Sequence, residues 1–330
     1  MSKKSRISAV AAVLGVLAAH GWAAAQQSPA PASGASSARA PSDTSRLLQE
    51  VTVTAKRAGK LAPRIRAFVN QIVVPENGGD AGLARWQTRP ACPLVSGLTR
   101  QDGEFILERL SEIARAAGVP LAGQQCRPNL YILVSTEPRS LLRAMQKRNP
   151  LFTFGGATPE AIDEFTVTPR AVRAWYRIVE KTPAGSPLMS MSFLMEGRAT
   201  PRGIAIKGGL PGIDPSLESN PWSQASRLTL NVISEIYRVF VVVDPTRFRG
   251  VTRGQLADYV AMVGFARLKA SARLGDVPTI LKLFDEAPEA APAGMTDWDQ
   301  AFLKSLYGTD QESKLQRGEI ARAMMREVAH

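Results

Sequence analysis

Histidine is nearly absent from this 330-residue chain: His20 lies close to the start and His330 is the last residue. Imidazole is the commonest general base near neutral pH and the commonest metal ligand. Without an internal one, a Ser-His-Asp triad, a Cys-His dyad, a His-ligated zinc site and a histidine acid–base pair are excluded from the body of the protein. Cysteine is as scarce, with only Cys92 and Cys126, so a C-x-x-C redox dyad is missing and a thiolate metal site would lack ligands. Aromatic residues are 6% of the chain, and none interleaves with the basic stripes as a base-stacking surface requires. Beyond the first 25 positions no apolar run approaches the roughly 18 residues of a membrane span. The G-x-S-x-G, S-x-x-K and G-x-x-x-x-G-K-[ST] patterns are absent too.

The N-terminus is informative. Lys3, Lys4 and Arg6 precede an apolar run, Ile7 to Ala19, and Ala23 and Ala25 give a small-x-small cleavage pattern. This reads as a secretory signal peptide cut between Ala25 and Gln26, with no cysteine after the cut to accept a lipid. Export to the periplasm or beyond exposes Cys92 and Cys126 to an oxidising compartment. A disulfide between them is expected, closing a 34-residue loop and contributing about 4 kcal/mol in the chain-entropy picture. Cleavage removes Lys3, Lys4 and Arg6 and no acid, so the formal net charge falls from +12 to +9. An envelope protein or an anionic envelope surface is the expected partner, rather than nucleic acid. Arg139, Arg143 and Lys147 fall at i, i+4, i+8 on one helix face, expected to be solvated.

Residues 26–46 read as a Pro/Ala/Ser-rich tether that cannot bury enough surface to fold, and residues 47–330 are expected to form a single globular domain. Gly208 to Pro221 reads as a long surface loop. Strands are expected at Val51 to Ala55, Leu83 to Thr88, Leu130 to Val134, Val172 to Val179 (with Arg173 and Arg177 on its outer face) and Phe240 to Val243. Helices are expected at Pro63 to Val73, at Arg100 to Ala117 between the Thr99 cap and Gly118, and from Thr136-Glu137-Pro138 to Arg148. Later helices follow at Leu256 to Leu268 behind a Thr252/Gln255 capping box, at Trp298 to Tyr307 behind Thr296, and at Gln316 to Val328. The pattern is an α+β fold: a mixed sheet with helices packed on it and a mostly helical C-terminal third.

Three pieces of that last third resemble zincin-type zinc peptidases, in particular secreted bacterial proteins of unknown function related to metzincins. Ala257-Asp258-Tyr259-Val260-Ala261-Met262-Val263-Gly264 sits on the capped helix where that family carries H-E-x-x-H-x-x-G. Thr279-Ile280-Leu281-Lys282-Leu283-Phe284 occupies the place of an S-I-M-x-x turn under the metal. Asp299, Leu303, Leu306 and Tyr307 follow a D-x-x-x-L-x-x-L-Y pattern. The resemblance implies a zincin-like scaffold, but Ala257 and Ala261 stand where the ligating histidines would be, and Asp258 where the general base would be. A methyl group cannot ligate zinc, so the implied member is a pseudo-enzyme without metal or other cofactor. Read without the resemblance, Ala257, Ala261 and Gly264 are small positions of a buried helix. Asp258 is then expected to pair with Arg253 or Arg267.

A second resemblance lies at Glu50-Val51-Thr52-Val53-Thr54-Ala55, followed by Lys56-Arg57, which looks like a TonB box. It implies strand addition to TonB; the alternative is an edge strand of the domain. The leading expectation is a secreted, periplasmic, non-catalytic protein with a binding or envelope-structural role. A carboxylate-dependent hydrolase using acids such as Glu235, Asp244 and Asp258, and a TonB-linked accessory protein, are the alternatives.

Overall fold

β-Branched and aromatic residues crowd Ile233–Val243, and in the computed structural model this stretch is an eleven-residue strand buried on both faces. Such a run belongs in the middle of a sheet covered on both sides. The structure describes residues 59–75, 82–149, 154–155, 157–185, 232–269, 272–285 and 291–329. In chain order these hold α1 (59–72), β1 (Pro93–Ser96), α2 (Arg100–Ala117), β2 (Leu130–Val134), α3 (Pro138–Arg148) and α4 (Pro159–Val167). Then come β3 (Val172–Lys181), β4 (Ile233–Val243), α5 (Arg253–Phe265), α6 (Asp297–Gly308) and α7 (Gln316–Val328). The strands form one sheet in the order β1-β2-β4-β3. β1, β2 and β4 are parallel, and β3 runs antiparallel along β4 as the edge. The fold is α+β, with a mixed sheet and a helical C-terminal third.

The main core lies on the sheet face bearing Leu130, Ile132, Val239, Val241 and Val243. α1 contributes Ile65, Phe68, Val69 and Ile72, an i, i+3, i+4, i+7 stripe, and Phe68 meets Trp298 and Phe302 of α6 edge-on. α2 is delimited by its ends. Thr99 accepts from the Asp102 amide, and Gly118 takes φ 74°, the left-handed cap that a Cβ disfavours. The opposite face is covered by α3 and α4, with Leu142, Phe154, Phe165 and Trp175 packed around Val242. The parallel strands all end at the same edge of the sheet, where β3 begins. Their amino ends and the end of β3 form the other edge.

Several expectations are corrected. Leu83 to Thr88 is not a strand: only Arg85 bridges, to Glu235. Side chains from the C-terminal helices take its backbone groups instead, with Leu83 N donating to Gln316 Oε1 and Trp86 N to the Tyr307 hydroxyl. Arg173 and Arg177 do lie on the face away from the main core, but they are buried rather than exposed. β4 begins seven residues before Phe240, and β3 runs two residues past Val179. β1 and α4 are elements that pattern reading missed. The stripe Arg139, Arg143, Lys147 is exposed as expected. The signal peptide, the tether, the strand Glu50 to Ala55 and the loop Gly208 to Pro221 lie outside the described residues.

Candidate functional site

α5, the helix of the zinc-motif resemblance, is buried from Gln255 to Phe265 except at Tyr259. Its capping box is formed: Thr252 accepts from the Gln255 amide, and the Gln255 side chain accepts from the Thr252 amide. Ala257 and Ala261 are fully buried in the main core. Gly264 lies against Leu130 of β2, where an added Cβ would come within 3.3 Å of two methyl carbons. These small residues let the helix approach the sheet closely. The helix C-terminus leaves carbonyls without intrahelical partners, and three aromatic donors meet them. Tyr176 of β3 bonds Val263 O at 2.7 Å, Trp86 Nε1 bonds Gly264 O at 2.9 Å, and Tyr307 of α6 bonds Phe265 O at 2.6 Å. Burial pushes both phenols well above their ordinary pKa, so both remain donors.

Asp258 is 2% exposed. Its carboxylate pairs with Arg109 of α2, Nε to Oδ1 at 2.7 Å and Nη2 to Oδ2 at 3.3 Å, and also accepts from the Met295 amide at 2.6 Å. The expected partners Arg253 and Arg267 are therefore corrected to Arg109. Arg253 instead stacks on Phe105 and reaches Asp102. A cleft of about 360 Å³ opens beside the pair, lined by Arg109, Glu112, Asp297, Gln300, Lys304 and Glu327. Arg109 reaches the surface here with 37% of its side chain exposed, whereas that of Asp258 is 3% exposed. A molecule in the cleft meets the guanidinium, with the carboxylate behind it. Lys304 and Glu327 pair at 2.7 Å, so the cleft carries mixed charge.

The remaining pieces of the resemblance meet at Asp299, fully buried at the start of α6. It accepts from Thr279 Oγ1 at 2.5 Å and the Ile280 amide at 2.8 Å, and from the amide and hydroxyl of Thr296. The turn at Thr279 and the helix of Leu303, Leu306 and Tyr307 are thus joined through one carboxyl. Burial pushes that carboxyl above its ordinary range against the pull of these four hydrogen bonds.

Glu235 and Asp244, the other candidate acids, sit at opposite ends of β4, about 30 Å apart at the ordinary strand rise. Paired glycosidase carboxyls stand ~5–9.5 Å apart, so these two are not such a pair. Glu235, 3% exposed, accepts from the Thr88 hydroxyl, the Arg89 amide at 2.6 Å and Lys181 Nζ. Lys181 also donates to Thr88 Oγ1 at 2.6 Å. Asp244 caps the turn Pro245–Arg247, accepting from Thr246 N and Oγ1 and from Arg247 Nε. Pattern reading had no means to find Lys181 or Thr88, because the node joins residues up to 147 positions apart.

Cys92 and Cys126 form a disulfide, with Cα atoms 6.1 Å apart. It lies at the amino edge, where Cys92 O accepts from the Asn129 and Leu130 amides. Among the described residues no three Cys, His, Asp or Glu side chains converge as a metal site, and no helix is long and apolar enough to cross a membrane. No protein family model, curated protein or solved structure matches the chain.

Proposed function

We propose that this chain is exported through a cleaved leader and serves in the cell envelope as a non-catalytic binding or structural protein, on a zinc-peptidase-like scaffold that has lost its ligands. The observation that carries the reading is the fate of its buried carboxylates. Glu235, Asp244, Asp258 and Asp299 each take their hydrogen bonds from the protein's own backbone and side chains. A general acid or base must reach a proton on the substrate, and Asp258, the acid at the motif position, is sealed behind Arg109. The two alanines at the ligand positions are used as core. The scaffold part is supported by Asp299, which ties the turn and the helix of the resemblance together beside α5.

Intact mass and N-terminal sequencing of the protein recovered from the periplasm of an expressing bacterium test this. The expected species begins at Gln26 and is two hydrogens lighter than the dithiol. An uncleaved chain with two free thiols contradicts export. Zinc retained at one equivalent through dialysis, or an activity lost in Asp258→Asn with the fold intact, contradicts the non-catalytic reading.

A further inference from the structure

The carboxyl edge of the sheet carries a buried guanidinium that forms no ion pair with a carboxylate among the described residues. Arg173, on β3 beside Val242, is 5% exposed. Its Nε donates to Thr168 O at 3.0 Å. Its Nη1 is buried and has no hydrogen-bond partner among the described residues, and no ion pair links it to a described carboxylate. A buried charge without a partner is unfavourable. Asp244, whose charge acts on Arg173, takes its hydrogen bonds from Thr246 and Arg247.

Three more arginines share the place. Arg139, in the first turn of α3, donates to Val167 O at 3.3 Å, the carbonyl next to the one that Arg173 takes. Arg170 lies three residues before Arg173, and Arg247 sits in the turn after β4. Burial lowers the Arg173 pKa, Asp244 opposes that, and Arg247, Arg139 and Arg170 add to it. Four guanidiniums stand against two carboxylates, Asp244 beside Arg247 and Glu164 at 3.9 Å from Arg170, and leave a local charge of about +2. Parallel sheets bind ligands outside the carboxyl ends of their strands, and these residues stand at that edge.

We infer that Arg173, with Arg139, Arg170 and Arg247, forms a binding site for a phosphoryl oxyanion at the carboxyl edge of the sheet. Guanidiniums pair with such oxygens through two parallel N–H donors, and a phosphomonoester brings nearly two negative charges near pH 7. The phosphoryl group comes from a free phosphorylated molecule or from a lipid headgroup. The site deepens the binding role proposed above and rests on that reading only in binding without turnover.

Inorganic phosphate titrated into the purified protein at low ionic strength, followed by calorimetry and by melting temperature, tests the site. The expected result is saturable binding of one equivalent that raises the melting temperature. Arg247→Gln should weaken it by roughly tenfold, Arg173→Gln should abolish it, and Lys304→Gln, in the cleft of α2 and α6, should leave it unchanged. If Arg173→Gln does not fold, Arg247→Gln decides, because that side chain is 45% exposed. No saturable phosphate binding, or equal binding in Arg247→Gln and wild type, overturns the inference. Vesicles containing phosphatidic acid separate the sources. Retention that free phosphate displaces and Arg247→Gln loses assigns the headgroup, and no retention with phosphate binding intact assigns a free molecule; both support the site. Retention indifferent to phosphate and to the variant, with no free-phosphate binding, overturns it. Hydrolysis of a phosphomonoester would remove the non-catalytic reading and keep the site. Failed phosphate binding by a cleaved, exported protein would do the reverse.

Discussion

The two ends of β4 treat buried charge in opposite ways. At the amino end, Glu235 is met by Thr88, the Arg89 amide and Lys181, and the disulfide closes the same edge. At the carboxyl end, Asp244 is used by its own turn, and Arg173 stays buried with a donor unmatched among the described residues. At one end the buried charge is matched by Lys181; the other has the form of half a site. A buried charge alone therefore does not mark function. What sets the carboxyl end apart is a buried donor unmatched among the described residues.

Breaking the matched end should have the largest effect. Glu235→Ala leaves Lys181, Thr88 and an amide without their acceptor, and should lower unfolding free energy by about 3–5 kcal/mol in urea titrations. A loss below about 1 kcal/mol would remove the node from the account. Cys126→Ser opens the same edge. It should lower stability by up to about 4 kcal/mol, and thiol labelling of the denatured, unreduced wild type should find no free thiol.

Asp258→Asn keeps the shape but weakens the contact with Arg109. It should reduce stability by about 2 kcal/mol and lower the salt sensitivity of melting. Asp299 adds a pH signature. A carboxyl whose folded pKa is raised contributes stability present below its ordinary pKa of about 4 and lost as pH rises through the folded value. The stability gap between wild type and Asp299→Asn should accordingly narrow as pH rises above that range; a widening gap would contradict the raised carboxyl.

At the other end the sign should reverse. Arg173→Met removes an unmatched charge and retains apolar packing. In the absence of phosphate it should change stability by no more than about 1 kcal/mol, in the stabilising direction. A loss above roughly 2 kcal/mol would show that Arg173 is already satisfied.

Much of this fold was legible locally. Thr99 and Gly118 delimit α2, the Thr252/Gln255 and Thr296 caps start α5 and α6, and the two cysteines meet as paired. The caps lie within a few residues of the helices they start or stop, and the cysteines, 34 positions apart, had no other cysteine to pair with. β1 escaped because four residues cannot display a period. Leu83 to Thr88 misled because Trp86 and its apolar neighbours look strand-like, while Gln311, Gln316 and Tyr307, more than 200 positions on, take the backbone partners. The site residues were least legible for the same reason. Asp258 pairs with Arg109 across 149 positions rather than with a basic neighbour in sequence. Arg173 and Arg177 alternate as an outer face should, and spacing alone does not show that α3 and α4 pack over that face.

The contrast between the ends is read most directly by side-chain NMR of the arginine Nε–H and lysine amino groups during a phosphate titration. The account predicts saturable shifts at Arg173 and Arg247 with Lys181 unmoved. Shifts of equal size at Lys181, or none at Arg173, would contradict it.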